Sequence, residues 1–155
     1  MIVNIYIETS TIAPRALHAS GMYLMEAVDE QGEVLMRGGE PVVLYEQIEY
    51  EHINTNMIAL TLLETALSRI QKPCVVNLYT KCEAIYWALK NNWITMWKKS
   101  NWKSAKGVGV KNAEKWKIIE YLLNKNESWT VSISYHSWEK WMQEKLKDGG
   151  KKHVG

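Results

Sequence analysis

Hydrophobic positions along this chain change period several times, and each change marks a new element. Residues 2–7 are β-branched and aromatic with weak alternation, which predicts a buried first strand. Residues 21–28 and 33–37 predict a second and a third strand, with Asp29, Glu30, Gln31 and Gly32 as the turn of a hairpin. The stretch 41–54 is mixed and acidic and receives no assignment. At Thr55 the period becomes helical: Ile58, Leu62, Leu63, Ala66, Leu67 and Ile70 share a face, and Asn54 or Thr55 can cap it. Pro73 closes that connection and 75–80 is a short apolar strand. Residues 83–90 predict a helix that runs on, with a break, through Trp97. Gly107 and Gly109 predict a loop, and 113–124 a helix with Trp116, Ile119, Leu122 and Leu123 on one side. Residues 129–134 alternate as a last strand and 138–146 form a last helix. This order predicts an α/β domain, a mixed five-stranded sheet flanked by helices, over residues 1–148, followed by a flexible basic tail at 149–155.

Composition adds little until it is mapped onto the chain. A length of 155 residues, 46% of them hydrophobic, suits one domain with a sizeable core. The net charge is only +2, yet residues 26–51 hold eight acids against Arg37, whereas 93–125 hold eight lysines against Glu114 and Glu120. A molecule polarised in this way turns only its basic side to phosphate. Cys74 and Cys82 would stand roughly 25 Å apart across an extended segment, too far to bridge. Reduced thiols in a soluble cytoplasmic protein are the expectation, since no leader pattern opens the sequence and no apolar run is long enough for a membrane span.

The basic region is also the most patterned. Between Trp93 and Trp116 four tryptophans (Trp93, Trp97, Trp102, Trp116) alternate with Lys98, Lys99, Lys103, Lys106, Lys111 and Lys115. Ammonium groups neutralise phosphates while large rings hold a loop in shape. The order of W, WKK, WK, VKN and a helical W resembles the basic protrusion of ribonuclease H. The order of elements along nearly the whole chain is similar to that family as well.

The resemblance implies an enzyme that cuts the RNA strand of an RNA/DNA hybrid with two magnesium ions held by four carboxylates. The first acid is expected after the first strand, where IYIETS supplies Glu8. The second is expected in a T-N-N-x-x-E pattern, where TNMIAL keeps Thr55 and Asn56 but has Leu60 at the acid position. The third belongs to a Y-T-D-S motif, where YTKC gives Lys81. The fourth belongs after a G-H motif; His136 is present, and Glu139, Glu144 and Asp148 are the acids that follow it. An ammonium about 4 Å from a divalent ion is repelled by on the order of 8 kcal/mol at an effective dielectric of ~20. Lys81 is therefore expected to pair directly with Glu8 on a neighbouring strand. Glu64 and Glu83 are the other acids near enough to rebuild a site, and Glu64 is expected to partner Lys81 or a hydroxyl.

The resulting expectation is a ribonuclease H-like nucleic-acid-binding protein, taking RNA/DNA hybrid or another A-like duplex, with no metal and without two-metal chemistry. Lys98, Lys99, Trp102, Lys103, Lys106, Lys111 and Asn56 are its candidate contacts, though Asn56 also reads as a simple helix cap and the lysines as a solvated face. Trp93, Trp97 and Trp116 read as packing, and His136 as a surface histidine ahead of a proton shuttle. Two alternatives stay open. One is an active hybrid ribonuclease that uses Mg2+ or Mn2+ in a rebuilt acidic site. The other is a protein-interaction module presenting Trp138 and Trp141 as an exposed pair.

Overall fold

The computed structural model describes residues 1–13, 15–104 and 106–151. Its centre is a five-stranded sheet in the order β5-β2-β1-β6-β7. These are β1 (Ile2–Thr9), β2 (Arg15–Val28), β5 (Val43–Asn54), β6 (Val75–Thr80) and β7 (Ser128–Ser132). β2 runs antiparallel to β1 and to β5, whereas β6 runs parallel to β1 and to β7. The sheet is mixed, as expected.

Alternation along β1 sends Val3, Ile5 and Ile7 to one face, where they pack with α1 (Thr55–Ser68), α2 (Glu83–Lys90), α3 (Trp93–Lys99) and α4 (Ala113–Asn124). Tyr6 faces the other way, into a smaller core with Met22, Leu24 and the Met142 and Leu146 side chains of α5 (Glu139–Lys151). α1 lies close on β2 at Gly21, where an added Cβ would stand 2.7 Å from Leu62 and 2.8 Å from Ile58. Only glycine lets the helix approach so nearly. The Asn54 side chain caps α1 by accepting from the Asn56 N–H at 2.8 Å.

The third strand of the sheet is not 33–37 but β5, the acidic stretch that carried no assignment. The turn at 29–32 does form, with the Asp29 carboxylate accepting the Gln31 and Glu33 N–H groups at 2.9 Å. Beyond it the chain leaves the sheet as a two-stranded ribbon, β3 (Met36–Arg37) and β4 (Glu40–Pro41), turning through Gly38 and Gly39 at φ 60° and 82°. β5 is an edge strand, half wet, so its acids are tolerated. Ile48 and Tyr50 pack against the larger core, Val43 against the smaller, and Glu46 accepts the Tyr23 hydroxyl at 2.9 Å and pairs with Arg69.

The expected break in the helix over 83–97 falls between α2 and α3, where Asn92 takes a left-handed φ of 56°. α5 remains helical through Lys151, so its backbone includes Gly149 and Gly150 of the expected tail; residues 152–155 lie outside the described residues. No helix among the described residues is long and apolar enough to cross a membrane.

On the α5 side a polar row crosses the sheet. Glu26, Asn4, Asn77 and Thr130 stand directly opposite one another on β2, β1, β6 and β7. Asn4 donates to Glu26 at 3.1 Å, Asn77 donates to Asn4 at 3.0 Å, and Thr130 donates to Asn77 at 2.9 Å. Glu26 also accepts the Tyr6 hydroxyl at 2.5 Å and the Trp138 indole N–H at 2.7 Å. A buried carboxylate with three donors meets its hydrogen-bonding requirement.

Candidate functional site

The C-terminal ends of β1 and β6 lie side by side, which brings the side chains of Glu8 and Lys81 together on the α5 side of the sheet. Glu8 is 3% exposed. Its Oε2 accepts from Lys81 Nζ at 3.4 Å and lies 3.0 Å from His136 Nε2, while Oε1 accepts from the Gln143 amide at 2.8 Å. Burial raises the Glu8 carboxyl pKa, but the hydrogen bonds from His136 and Gln143 and the charge of Lys81 outweigh it and hold the group below its ordinary value. Lys81 also pairs with Glu139, at the first turn of α5. The expected Glu8–Lys81 contact is present, and Glu139 joins it.

His136 is not a surface histidine. Its side chain is 2% exposed, with ring centroids 4.4 Å from Tyr6 and 6.0 Å from Tyr79. The Trp138 backbone N–H donates to its Nδ1 at 3.2 Å. In the neutral ring the proton therefore sits on Nε2 and is donated to Glu8.

Gln143 is the residue that sequence reasoning missed. It lies one helical turn beyond Glu139 on the same face of α5, and that spacing from a named acid was the available signal. Glu64 was expected at Lys81 or a hydroxyl; it pairs instead with Lys115, joining α1 to α4. Glu83 and Glu144 are exposed, and the Asp148 side chain lies outside the described residues. Leu60 is buried in the larger core, so no polar group stands at its position.

Beside this cluster opens a cavity of about 600 Å³ lined by Thr9, Thr55, Asn56, Lys81, Cys82 and Glu83 among others. Cys82 is the N-cap residue of α2, and its thiol donates to Asn56 Oδ1 at 3.4 Å. Burial pushes the Cys82 thiol pKa up, which keeps the donor proton in place.

The basic region is built around Trp97, whose ring centroid lies 5.6 Å from Trp116, 5.9 Å from Trp102 and 6.2 Å from Trp93. Trp116 is buried as expected; Trp93, expected as packing, is 37% exposed at the margin. Trp102 has φ 59° and lies half-buried beneath the Lys117 ammonium, 5.4 Å from the ring centroid. Ser104 N–H donates to Val108 and Gly107 N–H to Ser104, closing a tight turn that carries Lys106. Lys99, Lys103, Lys106 and Lys111 are exposed, and Lys98 is exposed while pairing with Glu120 at 3.2 Å. Trp138 and Trp141 do not form an exposed pair. Both are half-buried against the smaller core, with the Trp138 indole anchored on Glu26.

The sequence model of RNase H matches residues 26–139. The chain belongs to the ribonuclease H family. Ribonuclease H of Legionella pneumophila (strain Lens) is 34% identical over 107 residues, 67% of each chain. Ribonuclease H of Clostridium botulinum (strain Hall) is 32% identical over 88 residues, 57% of this chain and 59% of the relative. The chain thus spans about three fifths of the clostridial relative it matches. The crystal structure of LC9-RNase H1, a type 1 RNase H with the type 2 active-site motif, superposes with a TM-score of 0.70 at 17% identity, covering 96% of this chain and 72% of that one. LC11-RNase H1, crystallised in complex with an RNA/DNA hybrid, superposes at 0.59 with 12% identity, covering 99% of both chains. At such identities the structural likeness speaks for the fold.

The two magnesium ions of the family do not fit the residues of this chain. The positions where the resemblance leads one to expect acids hold Glu8, Leu60 and Lys81, and the α5 residue facing Glu8 is the amide of Gln143. Glu8, His136 and Glu139 bring possible ligand atoms within 4.8 Å of one another. However, Lys81 already pairs with both carboxylates of that trio. A metal on His136 Nε2 would also force the ring proton onto Nδ1, against the Trp138 N–H that points there.

Proposed function

We propose that this chain is a nucleic-acid-binding member of the ribonuclease H family that recognises RNA/DNA hybrid or another A-like duplex and has lost two-metal hydrolysis. The observation that carries the reading is the Lys81 ammonium paired with both Glu8 and Glu139. A cation fixed there repels a divalent ion, and an apolar Leu60 and an amide at Gln143 leave too few oxygens to hold two. The exposed lysines of the protrusion support the binding half of the proposal, because A-form helices are recognised by shape and backbone contacts. LC11-RNase H1, of the same fold, was crystallised on a hybrid. The two free thiols suit the reducing cytoplasm as the compartment.

The test combines binding with cleavage. If three to four of Lys98, Lys99, Lys103, Lys106 and Lys111 meet phosphates, log affinity for hybrid falls with log salt at a slope of about −3. Converting Lys98, Lys99 and Lys103 to alanine flattens that slope by up to ~3 and weakens all sequences alike. Cleavage of the hybrid in magnesium is expected to be absent. Salt-independent or absent binding to hybrid, duplex RNA and duplex DNA would refute the binding half. Hybrid cleavage that Glu8→Gln abolishes would refute the other half and favour a rebuilt site around Glu8, His136 and Glu139.

A further inference from the structure

The cavity beside Glu8 is lined by an ammonium that belongs to the protein, that of Lys81. We propose that Lys81, together with Asn56, forms a phosphodiester-binding site that needs no divalent ion. The inference rests on the nucleic-acid reading above and assigns to Lys81 the phosphate contact that a metal ion makes in a two-metal enzyme.

An ammonium carries three N–H donors. Glu8 and Glu139 take two of those on Lys81, and the described residues record no hydrogen-bond acceptor for the third. The two carboxylates also hold the long side chain in place, so little further rotamer freedom is lost when a ligand arrives. Asn56 lines the same cavity of about 600 Å³. Its Oδ1 is taken by the Cys82 thiol at 3.4 Å, and the described residues record no acceptor for its Nδ2 amide donors, which can turn to a ligand. Cys82 is thereby a positioning residue for Asn56.

Opposing charge is present. Glu83 lines the cavity and is exposed, and the Glu8–Lys81–Glu139 cluster carries a net charge of about −1 at neutral pH. The contact is therefore a local, hydrogen-bonded one, and the protrusion lysines supply the long-range attraction. Tyr135, 84% exposed and with its ring centroid 5.4 Å from Lys81 Nζ, adds a flat face at the same place for a sugar or base.

The experiment measures fluorescence anisotropy of a labelled RNA/DNA hybrid across a salt series, in EDTA and in magnesium at matched ionic strength. Wild type is expected to bind with the same affinity in both, within about twofold, because no divalent ion takes part in the contact and its removal by EDTA costs nothing. Lys81→Met is expected to reduce the magnitude of the salt slope by about 1, as does loss of a single phosphate contact. Should circular dichroism show that Lys81→Met does not fold, the Glu8→Gln/Lys81→Met pair is read against Glu8→Gln on the same criterion. Binding that requires magnesium, or a folded Lys81 variant with the slope of its reference, overturns this inference and leaves the nucleic-acid reading standing. Wild type that binds no nucleic acid overturns both.

Discussion

Replacing Lys81 with methionine tests the electrostatic centre of the molecule. The change keeps most of the apolar stem and removes the charge that pairs Glu8, which is 3% exposed, with β6 and α5. Stripping one partner from a buried pair costs about 3–5 kcal/mol. Here Glu8 retains hydrogen bonds from His136 and Gln143, and Lys81 is 30% exposed, so a loss of about 2 kcal/mol is expected at pH 7. For a domain of this size that lowers Tm by roughly 4–8 °C. The pH dependence carries a sign. Glu8 has a folded pKa below its unfolded value, so its contribution is complete above the unfolded carboxyl pKa of about 4.3 and is lost as pH falls through the folded value. Lys81→Met removes one of the causes of that depression, so the gap between the proteins narrows on acidification below about pH 4. Urea melts of wild type, Lys81→Met, Glu8→Gln and the double variant give a coupling energy, expected at about 1–2 kcal/mol. A coupling below about 0.3 kcal/mol, or a gap that widens on acidification, would refute the reasoning.

Three further outcomes follow from the packing and the cluster. Gly21→Ala presses a Cβ against Ile58 and Leu62 and is expected to cost about 1–3 kcal/mol in a urea melt; a neutral result would mean that α1 stands further from β2 than described. Trp138→Phe keeps an aromatic ring, smaller than the indole, but leaves Glu26 one donor short, a loss of about 1–3 kcal/mol in the same assay. Gln143→Glu sets a second carboxylate against Glu8 and raises the folded pKa of the pair, so in urea melts it should be less stable than Gln143→Leu at neutral pH and recover toward it as pH falls and the pair takes up a proton.

Much of the fold was legible because β1, β6, α1 and α4 announce themselves by period and punctuation. The third sheet strand was not, since β5 alternates tyrosine and isoleucine with glutamates that a wet edge tolerates. The segment at 33–37 has strand composition, yet Gly38 and Gly39 turn it into a ribbon before it can join the sheet. At the site, the Glu8–Lys81 pair could be read because both follow strands whose adjacency the element order implied. His136 could not, because its burial depends on Tyr6 and Tyr79, two separate strands forming one aromatic floor. Gln143 was hidden because an amide is absent from any search for carboxylates. Glu64 went astray because the reach of Lys115 on α4 is invisible until α1 and α4 pack.

The row Glu26–Asn4–Asn77–Thr130 acts as a proofreading device for strand pairing. A strand that slips by one residue turns its polar member to the opposite, apolar face. Because each member bonds its neighbour, one slip in β1 or β6 breaks two links at once and leaves the buried Glu26 short of donors or the Asn77 amide without partners. The hydrophobic positions alone would accept several offsets of the short parallel strands, since valine, leucine and isoleucine are nearly interchangeable there. Four polar side chains in one line reject all offsets but one. Because Trp138 attaches to the end of that line, α5 can dock in full only on a sheet whose strands are already in order. Glu139 can then reach Lys81, and Gln143 can reach Glu8, only after the sheet has passed that check.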